Sequence, residues 1–516
     1  MIDRNPIFLR AFDILETSLK HVFLTGKAWT WKSTFLEYFR QETKKHVIVL
    51  APTGIAALNV RGETIHAFFG WKPHMTIHDI KPNKKQKEIF EKIDMIIIDE
   101  ISMVRADVLD FVDMALRVNR EGKRDIPFWG VQMILIGDLY QLPPVLTRQD
   151  KETFHELYQN EYFFWSHVFT DGGFDMEFIE FETIYRQEDD KFISLLNTIR
   201  NNTADIEDMR VLNSRIQLPP EDDGFIVTLA TTNAIADSVN EEHLDMIEKE
   251  DFSFSGDMFG DFDNKQLPAD KELILKEWAQ VMFVANDTRG RWVNGTIWKV
   301  SGFWIDADGK DVIEVLLPNQ EIVSVGQFTW EMYHYGFDKE KHMVTPEVIG
   351  MFTQFPLRLA WAITIHKSQG KTFDKVIVDI GNGSFAHGQV YVALSRCRSF
   401  EGLYLKKRIE KRHIRMDSRV VSFITRYQYR IAEKKMSREE RMDFIESAIF
   451  SGDDIEMVYL KWKDEKSLRR ITPESIGQMM HLGKSYLGMV AMCHTRWEER
   501  VFAVARILEM KRIPKT

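Results

Sequence analysis

Short runs of apolar residues alternate with amphipathic stretches through the first half of the chain. Four of these runs are rich in β-branched residues: HVFLTG (21–26), HVIVLAPT (46–53), DMIIIDE (94–100) and QMILIGD (132–138). Nearly all-apolar runs are typical of strands buried on both faces of a parallel sheet, with helices formed by the stretches between them. Each run ends in a polar turn, where α/β proteins place their ligands. The pattern predicts an α/β fold with a ligand site at one sheet edge.

The pattern returns in the second half, at FIVTLAT (225–231), LAWAIT (359–364) and KVIVDIG (375–381). Between these strands, polar and apolar residues alternate around an Asp-Gly turn, which predicts a small β insertion at about 298–350. A charged helical stretch begins at about 406, and a compact α+β segment follows it. We therefore predict four parts: parallel-sheet domains at 1–200 and 201–405, a helical linker at 406–436 and a small β-rich domain at 437–512.

Composition narrows the class of protein without identifying it. Of the 516 residues, 44% are hydrophobic and 28% charged, the balance of a globular protein that does not span a membrane. The N-terminus lacks the layout of a signal peptide, and the two cysteines lie far apart, so we expect a reducing cytoplasm and no disulfide framework. A net charge of −10 argues weakly against a protein that coats nucleic acid, but it leaves room for a DNA channel inside an acidic exterior.

A phosphate-loop pattern follows the first predicted strand. Residues 26–34 read GKAWTWKST, and Gly26, Lys32 and Ser33 match the pattern G-x-x-x-x-G-K-[ST] in type and spacing. In such a loop the lysine meets the β and γ phosphates of ATP and the serine hydroxyl binds Mg²⁺. Trp31 stands where the pattern requires glycine, and an indole there would compete with the ligand for space. A positive φ at this position would add a penalty of roughly 1–2 kcal/mol.

Further polar residues stand at the ends of the next predicted strands. Asp99 and Glu100 suit a metal ligand and a base that activates water, and Gln141 in GDLYQLPP is placed to sense the γ phosphate. Arg186 and Arg396 lie in the second half, where guanidinium groups could reach across a cleft as arginine fingers. Taken singly, each has an ordinary structural interpretation, as a helix cap or a surface ion pair. Their shared order and spacing favour a nucleotide hydrolase.

Longer motifs give the chain a family resemblance. It resembles the Pif-type helicases of superfamily one, related to RecD, over about residues 5–406. The matching stretches include APTGIAALNVRGETIHAFFG (51–70), IPFWGVQMILIGDLYQLPPV (126–145), IYRQEDDKFISLLNTIR (184–200), AWAITIHKSQGKTFDKV (360–376) and VYVALSRCRS (390–399). The resemblance implies two RecA-like domains, a small wedge insertion near 60–85, a β-barrel (SH3-like) insertion in the second domain, and an ATP-dependent DNA helicase. It also implies movement from 5′ to 3′, which no residue pattern derives.

The resemblance assigns roles by position. It implies nucleotide contacts by Gly26, Lys27, Thr30, Lys32, Ser33 and Thr34, with Ser33 and Asp99 on Mg²⁺ and with Glu100, Gln141, Arg186, Arg396 and Lys32 in catalysis. It implies that single-stranded DNA contacts Pro52, Thr53, Gly54, His66, Phe68, Thr231, Asn233, Thr364, His366, Lys367 and Ser368. Hydroxyl and amide groups suit phosphates, and an aromatic ring can stack on a base. For His66, Phe68 and His366 the alternative is plain core packing.

The C-terminal segment resembles a WYL domain, a small ligand-binding module. The matching pieces are LRRITPESIG (468–477), GKSYLGMVAMCH (483–494) and EERVFAVARI (498–507), with Ser485 in place of the name-giving tryptophan. Arg470, Arg500 and Arg506 match the basic positions of that family and would suit a phosphate or a nucleic acid. The alternative is that these arginines are ordinary structural residues.

Five tryptophans stand where the family patterns expect glycine: Trp29, Trp31, Trp129, Trp298 and Trp497. A decaying enzyme would lose Lys32 or Glu100 as readily, yet those residues are intact. We therefore hypothesise that UGA codons, which encode glycine in some bacterial lineages, have been read as tryptophan at these positions. UGG codons at 29 and 31 would end this explanation.

Three functions from different classes remain open from the sequence. The first is an ATP-dependent helicase that is a monomer in solution, acts on single-stranded and forked DNA in a bacterial cytoplasm at the nucleoid, and serves genome maintenance. The second is a DNA-binding protein that cannot hydrolyse ATP, if Trp29 and Trp31 are genuine. The third is a RecD-like motor subunit whose nuclease activity comes from a partner.

Overall fold

The computed structural model divides the chain into two compact units. One comprises 1–200 and 204–415, and the other 201–203 and 416–516. The structure describes residues 5–514 apart from 28–29, 72–79, 84–85, 123–124, 147, 172–173, 182–188, 218, 220–224, 263–266, 288, 290, 293, 317–320, 339–342, 382, 384–385, 462–465 and 482. Among the described residues, no helix combines the length and apolar character needed to cross a membrane.

A six-stranded parallel sheet forms the first half of the larger unit, in the order β3-β2-β4-β5-β1-β6. Its strands are β1 His21–Gly26, β2 Val47–Ala51, β3 Glu63–Thr64, β4 Met95–Ile98, β5 Gln132–Ile136 and β6 Met176–Phe181. Its helices are α1 Pro6–Thr17, α2 Lys32–Glu42, α3 Gly54–Asn59, α4 Ile65–Phe69, α5 Lys87–Lys92, α6 Ala106–Asn119, α7 Arg148–Leu157 and α8 His167–Thr170. The four predicted strands are confirmed, and their apolar residues are buried because helices cover the sheet.

A second parallel sheet has four strands in the order β18-β7-β19-β20. Its strands are β7 Val227–Ala230, β18 Ala362–Thr364, β19 Val376–Asp379 and β20 Leu403–Leu405, with helices α9 Asp190–Arg200, α10 Ile206–Asn213, α11 Asn233–Asp245 and α12 Gln389–Leu394. Phe192, Leu196 and Ile199 of α9 belong to the core of this second sheet. The domain that we predicted to end at residue 200 therefore ends before α9.

The chain between β7 and β18 forms antiparallel strands over a longer stretch than the predicted 298–350. A five-stranded sheet has the order β14-β13-β12-β11-β17, and β15-β16-β9 and β10-β8 form two smaller sheets. The strands are β8 Phe252–Ser255, β9 Asp257–Gly260, β10 Glu272–Leu275, β11 Gln280–Phe283, β12 Ile297–Ile305, β13 Asp311–Leu316, β14 Ile322–Val325, β15 Phe328–Asp338, β16 Met343–Gln354 and β17 Leu357–Leu359. The predicted Asp-Gly turn joins β12 to β13, with Gly309 at φ +78°.

The smaller unit packs two helices with a five-stranded antiparallel sheet of order β24-β23-β22-β21-β25. Its elements are α13 Ser418–Lys435, α14 Arg438–Ser451, β21 Asp454–Leu460, β22 Lys466–His481, β23 Lys484–Cys493, β24 Glu498–Ala503 and β25 Ile507–Ile513. Helix α13 packs against β25, so most of the stretch that we predicted as a linker is part of this unit. The boundary lies at 415/416 rather than near 436.

Three tryptophans have left-handed backbone angles. Among the described residues, seven other than glycine have positive φ, and Trp129 (+56°), Trp278 (+73°) and Trp497 (+54°) are three of them. Positive φ is a genuine outlier for a bulky residue and natural for glycine. Trp129 and Trp497 belong to the five that the glycine hypothesis names, whereas Trp278 is an addition that the sequence analysis missed. Trp298 lies instead in strand β12 and is buried in the core.

Candidate active site

The phosphate-loop sequence lies between a strand and a helix, as the pattern requires. Strand β1 ends at Gly26 and α2 begins at Lys32. A Cβ at Gly26 would lie 2.5 Å from the Thr30 hydroxyl oxygen and 2.7 Å from the Phe181 carbonyl oxygen. The loop can therefore close only with glycine at this position.

Lys32 directs its ammonium group into the loop. Nζ donates to the carbonyl oxygens of Gly26 and Lys27, both at 2.8 Å, and to the Thr30 hydroxyl at 3.2 Å. Burial lowers the pKa of Lys32, and the carboxylates at the ends of β4 and β5 oppose that shift. Ser33, in the first turn of α2, is exposed and Thr34 is half-buried.

Trp31 takes a conformation that removes one of the penalties we considered. As N-cap of α2 it has φ −65°, so its side chain costs no left-handed backbone strain. Its ring packs edge-on against Phe8 with 6.2 Å between ring centroids, on the core of the first sheet. Trp29 lies outside the described residues.

Asp99 and Glu100 directly follow β4, as predicted. The Asp99 amide donates to the Leu50 carbonyl of the neighbouring strand at 2.9 Å. Glu100 has φ +51° and ψ +43°, and a non-glycine residue held in this region is often functional. Removal from water raises the pKa of Asp99 to about 6, and the same cause together with the Asp99 charge raises the pKa of Glu100 to about 7.

The GDLYQLPP motif supplies a buried polar group after β5. Gln141 donates through Nε2 to Asp138 Oδ2 at 3.3 Å, and Asp138 Oδ1 accepts from Arg200 at 3.1 Å. The Arg200 guanidinium also lies 3.8 Å from the ring centroid of Tyr140. The sequence analysis named Gln141 and missed Asp138 and Arg200, although both lie in the motifs it used.

Arg396 is buried immediately after α12. Its guanidinium donates to the Val392 carbonyl at 3.0 Å, the Ser395 hydroxyl at 2.9 Å and the Lys371 carbonyl at 3.3 Å. Burial lowers the pKa of Arg396 to about 10, and attraction by carboxylates including Glu100 opposes the shift. Arg186 lies outside the described residues.

Gln369 connects the two parallel-sheet halves and was not among the residues we predicted. Its Nε2 donates to Glu100 Oε2 at 3.1 Å and to Gln141 Oε1 at 3.3 Å. It lies in the HKSQG stretch that the motif analysis quoted, where only the preceding residues were singled out. Nothing in its residue type signalled a contact with Glu100, because that contact depends on how the two halves pack.

The donor set fits magnesium and nucleotide. Mg²⁺ prefers oxygen ligands and usually takes only one or two from the protein, with waters and phosphates filling the rest. The predicted ligands, the Ser33 hydroxyl and the Asp99 carboxylate, are oxygen donors of this kind, and the Asp99 charge opposes the lowering of the Lys32 pKa. Among the described residues, no group of three or more histidine, cysteine or acidic side chains forms a dedicated metal cage.

The residues of the first half that we predicted to contact DNA differ in their exposure to solvent. Pro52, Thr53 and Gly54 lie half-buried at the start of α3, where the Thr53 hydroxyl accepts from the Ala56 amide at 3.2 Å. The exposed His66 ring stacks on Trp71 at 4.8 Å. Phe68 is a correction: it is 0% exposed and packs against Phe90, so core packing holds it and a base cannot stack on it here.

On the second half, two of the predicted DNA contacts are exposed: Asn233 at the start of α11 and Lys367 after β18. His366 is half-buried. The hydroxyl residues are less accessible than we expected: Thr231, Thr364 and Ser368 are buried. The Ser368 hydroxyl donates to the Ile365 carbonyl at 2.7 Å, so in this structure it stabilises the turn instead of facing solvent.

Comparison with known proteins identifies related sequences. The PIF1-like helicase family matches residues 10–210. The ATP-dependent DNA helicase Pif1 of Bdellovibrio bacteriovorus is 31% identical over 438 residues, which cover 83% of this chain and 93% of that protein. The one from Psychrobacter is 32% identical over 452 residues, which cover 77% of this chain and 67% of that protein.

Solved structures that are similar to this chain are also Pif1 helicases. Pif1 of a Bacteroides species in complex with ADP-AlF4 superposes with a TM-score of 0.75 at 34% identity, covering 83% of this chain and 98% of that one. The same protein bound to single-stranded DNA gives a TM-score of 0.59 at 35% identity, covering 82% and 96%. With relatives that are more than 30% identical and matched over most of their length, the chain belongs to the Pif1-like helicase family.

Proposed function

We propose that this chain is an ATP-dependent DNA helicase that translocates on single-stranded DNA. The observation that carries the proposal is that Lys32, two carboxylates and Arg396 interact electrostatically, while Gln369 donates to both Glu100 and Gln141. These groups come from both parallel-sheet halves. A site shared in this way couples nucleotide hydrolysis to relative movement of the halves.

The residues around the pocket have separate roles in hydrolysis. Glu100 takes a proton from the attacking water, and its pKa of about 7 suits a base that works near neutral pH. Lys32 and Arg396 stabilise the negative charge that builds up on the transferred phosphoryl group, and Arg186 is our candidate for a second guanidinium with the same role. Gln141 senses the γ phosphate. Ser33 and Asp99 would hold Mg²⁺, which would supply positive charge to neutralise the phosphates.

The DNA path crosses the turns after β2, β7 and β18. Exposed Asn233 and Lys367 contact phosphates, and His66 lies at the edge of a base. The buried Thr231, Thr364 and Ser368 approach the strand through their turn backbones. Bacteroides Pif1 has been solved bound to single-stranded DNA, and another Pif1 structure concerns unwinding at forked double-stranded DNA, which supports the same substrates here. We propose 5′-to-3′ movement by family analogy.

For the smaller unit we propose a WYL-like module that binds a second, anionic ligand. Arg500 and Arg506 are its basic candidates, and Arg500 also lies 3.5 Å from the Glu498 carboxylate. Arg470 pairs with the buried Asp454 at 2.9 Å, which supports a structural role. We further propose an SH3-like fold for the β insertion, a monomeric protein at the bacterial nucleoid, and a role in DNA repair and recombination. A RecD-like partnership remains the alternative in which a nuclease is supplied by another chain.

ATP hydrolysis with and without a single-stranded oligonucleotide tests the proposal. It is measured on the chain as given and on the Trp29→Gly/Trp31→Gly protein, which we expect to hydrolyse ATP faster because a phosphate loop needs close backbone approach. The Lys32→Ala protein provides the background. If neither form exceeds that background in the presence of DNA, the helicase proposal fails, and an ATPase-dead DNA-binding protein takes its place.

A further inference from the structure

The Gln369 side chain lies between two groups of the catalytic pocket and the predicted DNA path. It is half-buried in the turn 365–371, and its backbone amide donates to the His366 carbonyl at 3.2 Å. Its side-chain amide donates to Glu100 at 3.1 Å and to Gln141 at 3.3 Å. A single NH₂ group therefore uses both of its hydrogens on the base and on the γ-phosphate sensor.

The direction of these hydrogen bonds is fixed at both ends. In its ionised form the Glu100 carboxylate only accepts, so the nitrogen of the Gln369 amide faces it. At the other end, Asp138 accepts from Arg200 and from the Gln141 nitrogen, which leaves the Gln141 oxygen to face Gln369. One chain of donors and acceptors thus runs from Arg200 to Glu100.

This chain holds both catalytic side chains in one orientation. The bond from Gln369 occupies Glu100 Oε2, the type of atom that must accept a proton from water. The other bond occupies the Gln141 oxygen. While both bonds persist, neither group is free to arrange a water molecule around a γ phosphate.

We propose that Gln369 is a positioning residue that restrains Glu100 and Gln141 while the DNA path is empty, and that DNA at the turn 365–371 releases them. The inference rests on the proposed function, since it takes His366, Lys367 and Ser368 as DNA contacts. These residues immediately precede Gln369 in one turn. A strand that displaces the turn pulls the side chain away from Glu100, and DNA binding must then break both bonds.

The test uses the full chain with Gln369→Ala, with Gln369→Glu, which keeps the size but cannot donate, and with the exposed Gln217→Ala as control. Affinity for a fluorescein-labelled oligothymidine is measured by anisotropy without nucleotide. A hydrogen bond to a charged group contributes enough to change an equilibrium about tenfold. We expect both Gln369 variants to bind the oligonucleotide about tenfold more tightly, because DNA no longer has to break the bonds, and the control to bind as the parent does.

ATP hydrolysis gives a second measurement, with the substitutions placed in the Trp29→Gly/Trp31→Gly background. We expect kcat without DNA to rise about tenfold in both Gln369 variants, with KM for ATP unchanged, so that stimulation by DNA shrinks. Unchanged or weaker oligonucleotide binding, or an equal fall in kcat with and without DNA, would overturn the inference. If no form hydrolyses ATP, the helicase proposal fails, while the anisotropy result still decides the role of Gln369.

Discussion

The left-handed tryptophan at position 497 gives a quantitative test of whether glycine belongs there. Trp497 ends the turn between β23 and β24, with φ +54° and its amide bonded to the Cys493 carbonyl at 2.7 Å. Trp497 is 78% exposed, so about 50 Å² of its surface is buried, and this burial contributes ~1 kcal/mol to stability. A side chain in this backbone region costs roughly 1–2 kcal/mol. The two effects nearly cancel, so Trp497→Gly alone changes stability little.

The informative comparison is Trp497→Gly against Trp497→Ala, because both remove the ring and only alanine keeps a Cβ. Glycine also costs roughly 0.5–1 kcal/mol of chain entropy. The exposed strand residue Val501, in the same hairpin, measures that cost through its own glycine and alanine variants. Subtracting the glycine-minus-alanine stability difference at 501 from that at 497 leaves the free-energy penalty of the left-handed backbone. We expect the glycine-minus-alanine difference at 497 to exceed that at 501 by roughly 1–2 kcal/mol.

Amide hydrogen exchange across β23 and β24 reports the free energy of opening this hairpin, so the whole chain need not unfold reversibly. Equal glycine-minus-alanine differences at the two positions would refute the reasoning and count against glycine at 129 and 278 as well. A positive result would predict a UGA codon at position 278, which the sequence patterns alone did not single out.

Three further predictions concern the pocket and the DNA path. Glu100→Gln should lower kcat for ATP at least about 100-fold, because the carboxylate is the base; an active variant would remove Glu100 from that role. Arg200→Met should destabilise the protein by about 3–5 kcal/mol in urea titration, since Asp138 is left as an unpaired buried charge, and adding Asp138→Asn should restore part of the loss. Lys367→Ala should weaken DNA binding and lower the slope of log Kd against log salt by about 1, whereas an unchanged slope would show that Lys367 does not meet a phosphate.

The elements of the fold could be predicted where periodicity is strong. Buried parallel strands such as Met95–Ile98 and Gln132–Ile136 are continuous apolar runs, and their polar ends mark the site. The predicted boundary at residue 200 was wrong because it assigned α9 to the first sheet. The amphipathic pattern of α9 predicts that one face is buried, but it does not tell which of the two sheets that face packs against. Phe68 was misassigned for a related reason: an aromatic residue in a motif suits stacking on a base or on Phe90, and only packing distinguishes them.

Contacts between distant motifs could not be predicted from the sequence, because the packing of the two halves decides which residues meet. Gln369 follows the residues chosen for DNA, yet its side chain meets Glu100, 269 positions earlier. The hydrogen bonds from Arg200 through Asp138, Gln141 and Gln369 to Glu100 join four motifs that the sequence presents as separate. Within this chain the buried Arg200 and Asp138 need each other most, because a buried polar group is stable only when it has a partner. Gln369 belongs to the second half, and Glu100 and Gln141 belong to the first. A displacement of one half relative to the other would therefore break both bonds of Gln369 together, which is the coupling that the proposed motor requires.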